Sequence, residues 1–311
     1  MMSRAVVFAY HNVGVRCLLA LLARGVDVPL VVTHQDSPNE DIWFGSVAAT
    51  AAAHGLKVIT PDEANAAEVL AQVQAAEPDF LFSFYYRQML GAPLLQAAPR
   101  GAFNMHGSLL PRYRGRVPVN WAIIHGETET GATLHTMEIK PDAGAIVDQM
   151  AVPILPDDTA QQVFDKVTVA AETVLWRSLP GLLDGSAVPQ PQDLAKGSYF
   201  GGRKPEDGRI DSQWPAQRVH DFVRALTHPY PGAFADLPRG RLRLWQTRRE
   251  SHGGSSPAPS RTELRLEEGR MLLACPDGAH LQVLAATLAD EPLTADNFRV
   301  RLGASAVTLG A

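Results

Sequence analysis

The first 190 residues alternate short β-rich runs with amphipathic segments, and this alternation constrains the fold more than any other feature of the chain. The β-rich runs cover residues 5–10, 28–33, 56–59, 79–84 and 102–105. Apolar residues recur at helical spacing in the segments between them, at 14–24, 41–54, 64–76 and 88–98. Strands that alternate with helices form βαβ units, in which helices cover both faces of a parallel sheet. We therefore predict an α/β domain with a Rossmann-like, mostly parallel sheet, completed by strands at 130–137 and 145–153 and a long helix at 160–183.

The character of the sequence changes near Gln190. A short helix is predicted at 215–226, and short alternating segments follow at 242–247, 263–267, 271–274 and 280–284. Several short strands at this spacing are typical of a small β-barrel or sandwich. With 311 residues, the chain is long enough for one large and one smaller domain. We predict a Rossmann-like domain at 1–190, a linker at 191–205 and a small β-barrel domain at 206–311.

Composition limits the compartment and the partners. The net charge of −5 provides no broad basic surface of the kind that binds nucleic acid, so a nucleic-acid partner is not expected. The sequence lacks an apolar run of the ~18 residues that a transmembrane helix needs, so no membrane partner is expected. Cys17 and Cys275 form no disulfide framework and have no metal-ligand spacing. They favour the reducing cytoplasm and give no metal site.

The turn after the first strand tests whether the sheet binds a dinucleotide. It reads Tyr-His-Asn-Val-Gly at 10–14 and lacks the G-x-G-x-x-G pattern that lets the backbone approach a pyrophosphate. A nicotinamide-dependent dehydrogenase is therefore not expected. Gly14 could meet a nucleotide phosphate at the N-terminus of the next helix, or it could only permit the turn.

Two polar residues lie at the carboxyl end of the fifth predicted strand. Asn104 and His106 are two residues apart, so their side chains share one face, and ligands of open α/β sheets bind beside such strand ends. An amide and an imidazole there could polarise a carbonyl and move a proton, or both could be core side chains bonded to neighbouring backbone. Asp142 lies in a turn between two predicted strands. Packed against His106 it would favour the imidazolium, whereas by itself it is typical of an ordinary turn.

Four ordered blocks of sequence closely resemble the folate-dependent formyltransferases. Phe-Asn-Met-His at 103–106 is followed by Ser-Leu-Leu-Pro-Arg-Tyr-Arg-Gly at 108–115. Glu-Thr-Gly-Ala-Thr-Leu-His at 129–135 and Asp-Ala-Gly-Ala-Ile at 142–146 match the next two blocks in order and spacing, and the last block lies at 224–234. The resemblance covers most of the chain up to residue 235 and is weak beyond it.

The resemblance implies a chemistry for the polar residues. Asn104, His106 and Asp142 correspond to the family's catalytic triad, which moves a formyl group from 10-formyltetrahydrofolate to an amine. Asn104 would donate a hydrogen bond to the developing oxyanion, His106 would move the proton of the amine, and Asp142 would orient the imidazole and stabilise its charged form. The resemblance also implies that no metal takes part and that the second domain is OB-like. The implied folate site comprises Gln88, Met89, Leu90, Arg116, Glu138, Ile139, Lys140, Pro141 and Asp142.

Smaller likenesses within the family predict the acceptor. Segments 8–11, 82–87 and 118–121 resemble the branch that formylates UDP-4-amino-4-deoxy-L-arabinose for lipid A modification. Gly107 agrees with that branch and departs from the proline that most of the wider family carries there. The alternatives are a methionyl-tRNA formyltransferase, a formyltetrahydrofolate hydrolase and a non-catalytic binder of folate or a nucleotide.

The loop after the second strand discriminates between a sugar and a tRNA acceptor. Residues 34–41 read His-Gln-Asp-Ser-Pro-Asn-Glu-Asp, with three acids and no Lys or Arg. Acids there would repel a phosphate backbone, although the same residues could simply form a solvated loop. We therefore expect a small sugar-nucleotide partner.

Six residues are candidates for the acceptor site, each with a plainer alternative. Arginine forks suit a diphosphate or the folate tail, but Arg112 and Arg114 could also be solvated. Trp121 could line the pocket or only pack against its neighbours. The full set is His11, Gly14, Ser108, Arg112, Arg114 and Trp121. The remaining histidines, His135 among them, show no metal-ligand grouping, and we assign them no chemistry.

Overall fold

The structure, a computed structural model, describes residues 2–38, 40, 42–250 and 258–310. The chain divides into two compact units. The first comprises Met1–Pro118, Glu129–Pro153 and Phe164–Gly201, and the second comprises Val119–Thr128, Ile154–Val163 and Gly202–Ala311. The domain boundaries drawn at residues 190 and 205 stay a prediction. In the part of the chain described, no helix has both the length and the apolar character needed to cross a membrane.

A seven-stranded sheet organises the first unit. Its strands, together with one separate pair, are β1 (Arg4–Ala9), β2 (Asp27–Val32), β3 (Val58–Ile59), β4 (Phe80–Phe84), β5 (Ala102–His106), β6 (Arg114–Gly115), β7 (Glu129–Thr136), β8 (Ile146–Pro153) and β9 (Tyr199–Phe200). The order in the large sheet is β3-β2-β1-β4-β5-β7-β8, and β6 pairs with β9. The first five strands of this order run parallel, β7 pairs antiparallel with β5, and β8 pairs antiparallel with β7. The predicted Rossmann-like, mostly parallel sheet is confirmed.

Helices connect these strands, and some are shorter than the sequence predicts. They are α1 (His11–Ala23), α2 (Val47–Ala53), α3 (Ala67–Ala75), α4 (Ala92–Gln96), α5 (Pro118–Ile124) and α6 (Ala160–Asp184). The helix predicted at 41–54 begins only at Val47, because the Ser46 hydroxyl caps it by accepting from the Ala49 N–H at 3.1 Å. The helix predicted at 88–98 begins at Ala92, because Asn65 bonds the Met89 carbonyl and the Gly91 N–H and so holds that segment outside the helix.

Aromatic rings pack closely at the centre of the first unit. Strand β4 is buried along its whole length and β1 along nearly all of it, as expected of a sheet covered on both faces. The Phe82 ring stacks on Phe84 and on Phe103 of β5, in both cases at 5.7 Å between ring centroids. The strand ends that carry the candidate site therefore project from a well-packed base.

The second unit is built on an antiparallel sheet. Its strands are β10 (Ala233–Leu237), β11 (Gly240–Arg249), β12 (Glu263–Glu267), β13 (Arg270–Ala274), β14 (His280–Leu288), β15 (Glu291–Leu293) and β16 (Ala306–Thr308), and its later helices are α7 (Ala216–Leu226) and α8 (Phe298–Leu302). The strand order is β10-β11-β14-β13-β12-β16, with β15 beside β14. Register shifts between β11 and β14 curl the sheet into a half-barrel, which confirms the predicted β-rich second domain. A closer likeness to an OB fold stays a prediction.

Candidate active site

The candidate site lies where β5 ends. Asn104 and His106 are on the same face of β5, as their spacing predicts. Strand β7 runs antiparallel beside β5 and places His135 directly opposite Asn104 in the register. The loop between β7 and β8 then brings Asp142 to the same cluster. Four polar side chains from three segments therefore converge at one end of the sheet.

His106 is buried, with 6% of its surface exposed, and both ring nitrogens face a polar atom. Its Nε2 lies 2.8 Å from the carbonyl oxygen of Tyr113. Its Nδ1 lies 3.6 Å from Oδ1 of Asp142, which is wider than a direct hydrogen bond. Because a carbonyl only accepts, Nε2 carries the proton in the neutral ring, and Nδ1 presents its lone pair beside the carboxylate. The ring can thus act as a base, and its protonated form would lie beside the Asp142 carboxylate.

Asp142 is held in its position by the backbone and by a side chain from a distant segment. Its own φ of +52° is in the left-handed region, and its Oδ2 accepts from the Gly115 N–H at 2.8 Å. Gln192 donates to the carbonyl of Asp142 at 3.1 Å and to that of Gly144 at 2.6 Å, which fixes the loop from the other side. Gln192 lies in the segment predicted to be a linker, and nothing in the sequence signals this contact.

Electrostatics keep the Asp142 carboxyl ionised. Burial, the largest influence, raises the pKa of Asp142, but the protonated forms of His106 and His135 and the Gly115 N–H favour the carboxylate and together hold the pKa well below its usual range. The cluster therefore contains a permanent negative charge at neutral pH. Such a charge stabilises an imidazolium that forms beside it.

His135, for which the sequence predicted no chemistry, also belongs to the cluster. Its Nδ1 lies 2.8 Å from the Thr136 carbonyl, so Nδ1 carries the proton and Nε2 accepts from Nδ2 of Asn104 at 3.1 Å. The same Nε2 is 3.6 Å from Oδ1 of Asp142. The predicted strand at 130–137 contained this residue, but its pairing with β5 was needed to bring it next to Asn104.

The residues assigned to folate lie in two segments, 88–90 and 138–142, with Arg116 separate from both. Met89 and Ile139 expose large apolar side chains, while Leu90 is buried. Both ends of the Gln88 amide are engaged: Oε1 accepts from the Ala64 N–H at 2.8 Å, and Nε2 donates to the Asp62 carbonyl at 2.7 Å. Gln88 thus braces the segment after β3. The others, Arg116, Glu138, Lys140 and Pro141, lie in exposed or half-buried loop positions.

The acceptor candidates are more scattered. His11 is 9% exposed and is enclosed by rings, with Phe44 stacked at 3.9 Å and Trp43 and Phe164 edge-on. Burial, together with the charge of Arg87, lowers its pKa to about 3, so it is a neutral ring. A Cβ at Gly14 would lie 3.0 Å from Val47, so this glycine lets α1 pack against α2.

The other acceptor candidates differ in exposure and in unit. Ser108 is fully buried and donates to the Arg112 carbonyl at 2.7 Å. Arg114 is buried and Arg112 is exposed. Trp121 belongs to the second unit, where it stacks on His125 at 5.6 Å and lies under the Arg203 guanidinium.

The arrangement at the end of β5 can polarise a carbonyl and move a proton. It combines an amide donor, an imidazole whose Nδ1 lies 3.6 Å from a carboxylate oxygen, and that carboxylate held ionised. Among the residues that the structure covers, no group of three or more His, Cys, Asp or Glu side chains is placed to hold a metal ion.

Similar folds occur in solved structures, among them two N-formyltransferases. WlaRD, a sugar 3N-formyl transferase crystallised in the presence of dTDP and 5-N-formyl-THF, has a TM-score of 0.68 at 20% identity, over 91% of this chain and 97% of that chain. The N-formyltransferase from Helicobacter canadensis, crystallised with folinic acid and dTDP-3-aminofucose, has a TM-score of 0.69 at 20% identity, over 91% and 99%. HypX from Aquifex aeolicus, in complex with tetrahydrofolic acid, has a TM-score of 0.64 at 16% identity, over 96% of this chain and 47% of that one.

The family itself is shown by the sequence match. Residues 6–179 match the formyl transferase family, and residues 203–299 match the C-terminal domain of formyl transferases. The first match spans more than half of the chain, and the second covers most of the antiparallel sheet of the second unit. The chain is therefore a formyltransferase and belongs to the formyl transferase family.

Proposed function

We propose that this enzyme transfers a formyl group from 10-formyltetrahydrofolate to the 4-amine of a nucleotide-linked amino sugar, UDP-4-amino-4-deoxy-L-arabinose. The observation that carries the proposal is the convergence of Asn104, His106 and Asp142 at the end of β5. These supply an oxyanion donor, a base and a negative charge. An amine that attacks a formyl carbon needs all three. The proposed reaction uses no metal.

His106 is the proposed proton carrier. The amine nitrogen attacks the formyl carbon, and Nδ1 of His106, whose lone pair faces Asp142, takes the proton that the amine releases. Asp142 stabilises the resulting imidazolium. The proton then passes to the folate nitrogen as its bond to the formyl carbon breaks. The products are the sugar formamide and tetrahydrofolate, and His106 returns to its neutral form.

Asn104 is the proposed oxyanion donor, and His135 orients it. One amide hydrogen of Asn104 is given to Nε2 of His135 at 3.1 Å, which fixes the plane of the amide. The second amide hydrogen then donates to the oxygen that becomes negative as the amine attacks. His135 acts through Asn104 and is a positioning residue, since its own Nδ1 is bonded to the Thr136 carbonyl.

For the folate, we propose contacts with two loops that flank the cluster. Exposed apolar side chains at Met89 and Ile139 suit the flat faces of a pterin ring. Glu138, Lys140, Pro141 and Asp142 supply the polar edge of the same loop, and Arg116 suits the glutamate tail. Gln88 supports this site indirectly, because its amide is bonded to the segment that contains Asp62 and Ala64.

The sugar acceptor is supported by the sequence likenesses at 8–11, 82–87 and 118–121 and by the ligands of two similar structures, dTDP and dTDP-3-aminofucose. The acidic loop supports it less than its sequence suggests. Glu40 forms a bidentate ion pair with Arg87, and Asp36 accepts from the Tyr10 hydroxyl, so two of its acids are already partnered. The third, Asp41, lies outside the described residues. We propose a small sugar-nucleotide acceptor, 10-formyltetrahydrofolate as the formyl donor and a cytoplasmic location.

A formyl-transfer assay tests the proposal. Release of tetrahydrofolate from 10-formyltetrahydrofolate would be followed with UDP-4-amino-4-deoxy-L-arabinose, a dTDP-linked amino sugar, charged initiator tRNA or no acceptor. We expect turnover with the UDP-sugar that falls about 1,000-fold in His106→Ala and is retained in His54→Ala, a matched change at an exposed histidine.

The other outcomes would each replace part of the proposal. Turnover only with the dTDP-sugar would change the nucleotide and the sugar but keep the chemistry. Turnover only with tRNA would show that the internally paired acids do not repel the acceptor stem. Release without an acceptor would identify a hydrolase. Silence under all four conditions would leave folate or nucleotide binding without catalysis.

A further inference from the structure

Gly107, the residue directly after His106, has no room for a side chain. A Cβ built on Gly107 would lie 1.8 Å from the hydroxyl oxygen of Tyr85 and 3.0 Å from its Cζ. Its backbone is not in the left-handed region, so the requirement for glycine is one of space and not of conformation. The Tyr85 hydroxyl therefore occupies the position that a side chain at 107 would fill.

Tyr85 is brought there by an uncommon backbone conformation. It follows the last residue of β4, Phe84, which pairs with Met105 of β5. Its φ of +57° is in the left-handed region, where a bulky residue persists only when its surroundings hold it. The ring packs edge-on against Phe164 at 5.6 Å and lies 6.4 Å from the His11 ring, so other rings of the first unit hold it in place.

Gly107 begins the turn that returns to His106. The Ser108 carbonyl accepts from the Thr133 hydroxyl at 2.6 Å, and the Ser108 hydroxyl donates to the Arg112 carbonyl at 2.7 Å. The next residue, Tyr113, supplies the carbonyl that bonds Nε2 of His106. The bond between Ser108 and Arg112 thus links the start of the turn, at Gly107, to its end at Tyr113. A shift at Gly107 would therefore move the Tyr113 carbonyl that bonds His106.

We propose that Tyr85, seated over Gly107, is a positioning residue for His106. Tyr85 holds the start of the turn and so determines the position of the Tyr113 carbonyl. That carbonyl bonds Nε2 of His106 and thereby orients the imidazole with Nδ1 facing Asp142. The catalytic consequence rests on the proposed function, in which His106 carries the proton. The positional consequence does not, because it concerns only the place of the ring.

Four proteins test the pair: Gly107→Ala, Tyr85→Phe, the double variant, and Gly201→Ala as a matched change at a glycine with nothing within 4 Å of an added Cβ. In Gly107→Ala the methyl group must displace the tyrosine or the turn, and we expect kcat to fall about 100-fold with little change in KM, because a shift of about 1 Å can cost that much. Tyr85→Phe removes the hydroxyl that the methyl group would meet. The double variant should therefore recover at least tenfold relative to Gly107→Ala, roughly the size of a coupled pair.

A second readout needs no substrate. The imidazole carbon signal of His106, assigned by NMR with His106→Gln, should move in Gly107→Ala, return towards its wild-type position in the double variant and stay unmoved in Gly201→Ala. A wild-type enzyme that is inactive with every acceptor would count against the proposed function alone, because this readout still tests the position of His106. Far-ultraviolet circular dichroism monitors folding.

Three outcomes would overturn the inference. The first is a double variant no better than Gly107→Ala in both readouts, which would show that glycine is needed for another reason. The second is a Gly107→Ala protein with wild-type kcat and an unmoved His106 signal. The third applies if Gly107→Ala does not fold, when Tyr85→Phe alone decides. We expect Tyr85→Phe to move the His106 signal and to lower kcat about fivefold, and no change in either would overturn the inference.

Discussion

Two histidines of the first unit, His106 and His11, lie at the carboxyl ends of strands of one sheet and are buried to a similar degree, with 6% and 9% of their surface exposed. Their surroundings are opposite. His106 has a carboxylate 3.6 Å from Nδ1 and a carbonyl at Nε2. His11 is enclosed by aromatic rings, and within the described residues its Nδ1 has no hydrogen-bond partner. Burial alone does not make a histidine useful for proton transfer; the polar partners decide it.

The largest expected effect tests that contrast directly. His106→Ala should lower kcat about 1,000-fold, within the range of general acid–base catalysis, because the proton of the amine loses its carrier. His11→Phe, which keeps an aromatic ring among rings, should leave kcat within about threefold of wild type. Steady-state formyl-transfer rates for both variants measure the difference. Equal losses would show that the two sites do not differ as their contacts indicate.

A second prediction sharpens the role of the amide. Asn104→Ala should lower kcat about 100-fold, because one oxyanion donor is lost while the folate and acceptor contacts remain. Asn104→Asp should be at least as damaging, since a negative charge would then face the developing oxyanion. Single-turnover rates with saturating folate check both. A variant that raises KM and leaves kcat unchanged would place Asn104 in ground-state binding instead.

A third and smaller effect is expected at His135. His135→Ala should lower kcat about tenfold, because Asn104 keeps its amide but loses the acceptor that orients it. In an Asn104→Ala background the same change should cost almost nothing further, since the two act as one unit. A double-mutant cycle on kcat makes the comparison. Additive losses would mean that His135 acts independently of Asn104.

The smallest effect concerns stability and pH. Because the pKa of His11 is lowered from 6.5 to about 3, the unfolded chain binds more protons than the folded protein between those values, and His11 makes stability fall as the pH is lowered through this window. His11→Phe removes that contribution. As the pH is lowered from about 6 to about 4, the free energy of unfolding of His11→Phe should therefore rise relative to that of wild type, by about 1 kcal/mol for each pH unit. Urea titrations at several pH values check this, and a pH-independent difference would contradict the neutral, buried ring.

Much of the fold could be predicted from local pattern. The strand predicted at 263–267 agrees with β12 residue for residue, and the five parallel strands of the first unit are found within two residues of most predicted bounds. Strands β10, β15 and β16 were not predicted, because each has five residues or fewer and too little alternation to stand out. Helix starts depended on single hydrogen bonds, such as the one at Ser46, that pattern alone does not rank.

Within the candidate site, the sequence indicated residue types and the structure indicated partners. The spacing of Asn104 and His106 placed both on one face of a strand, and the structure brings Asp142 beside them. His135, Gln192 and Tyr85 were not predicted to matter there. Each lies far along the chain from what it contacts: His135 is 31 residues from Asn104, and Gln192 is 50 residues from Asp142.

By itself, the sequence determined the order of strands and helices along the first unit, the family and the identity of the polar residues at the end of β5. These follow from local periodicity and short motifs, which act over a few residues. Only the tertiary structure decided that β7 pairs with β5, that Nε2 of His106 bonds the Tyr113 carbonyl and that Tyr85 fills the space over Gly107. Those contacts join segments distant in sequence, and their geometry depends on how the sheet packs as a whole.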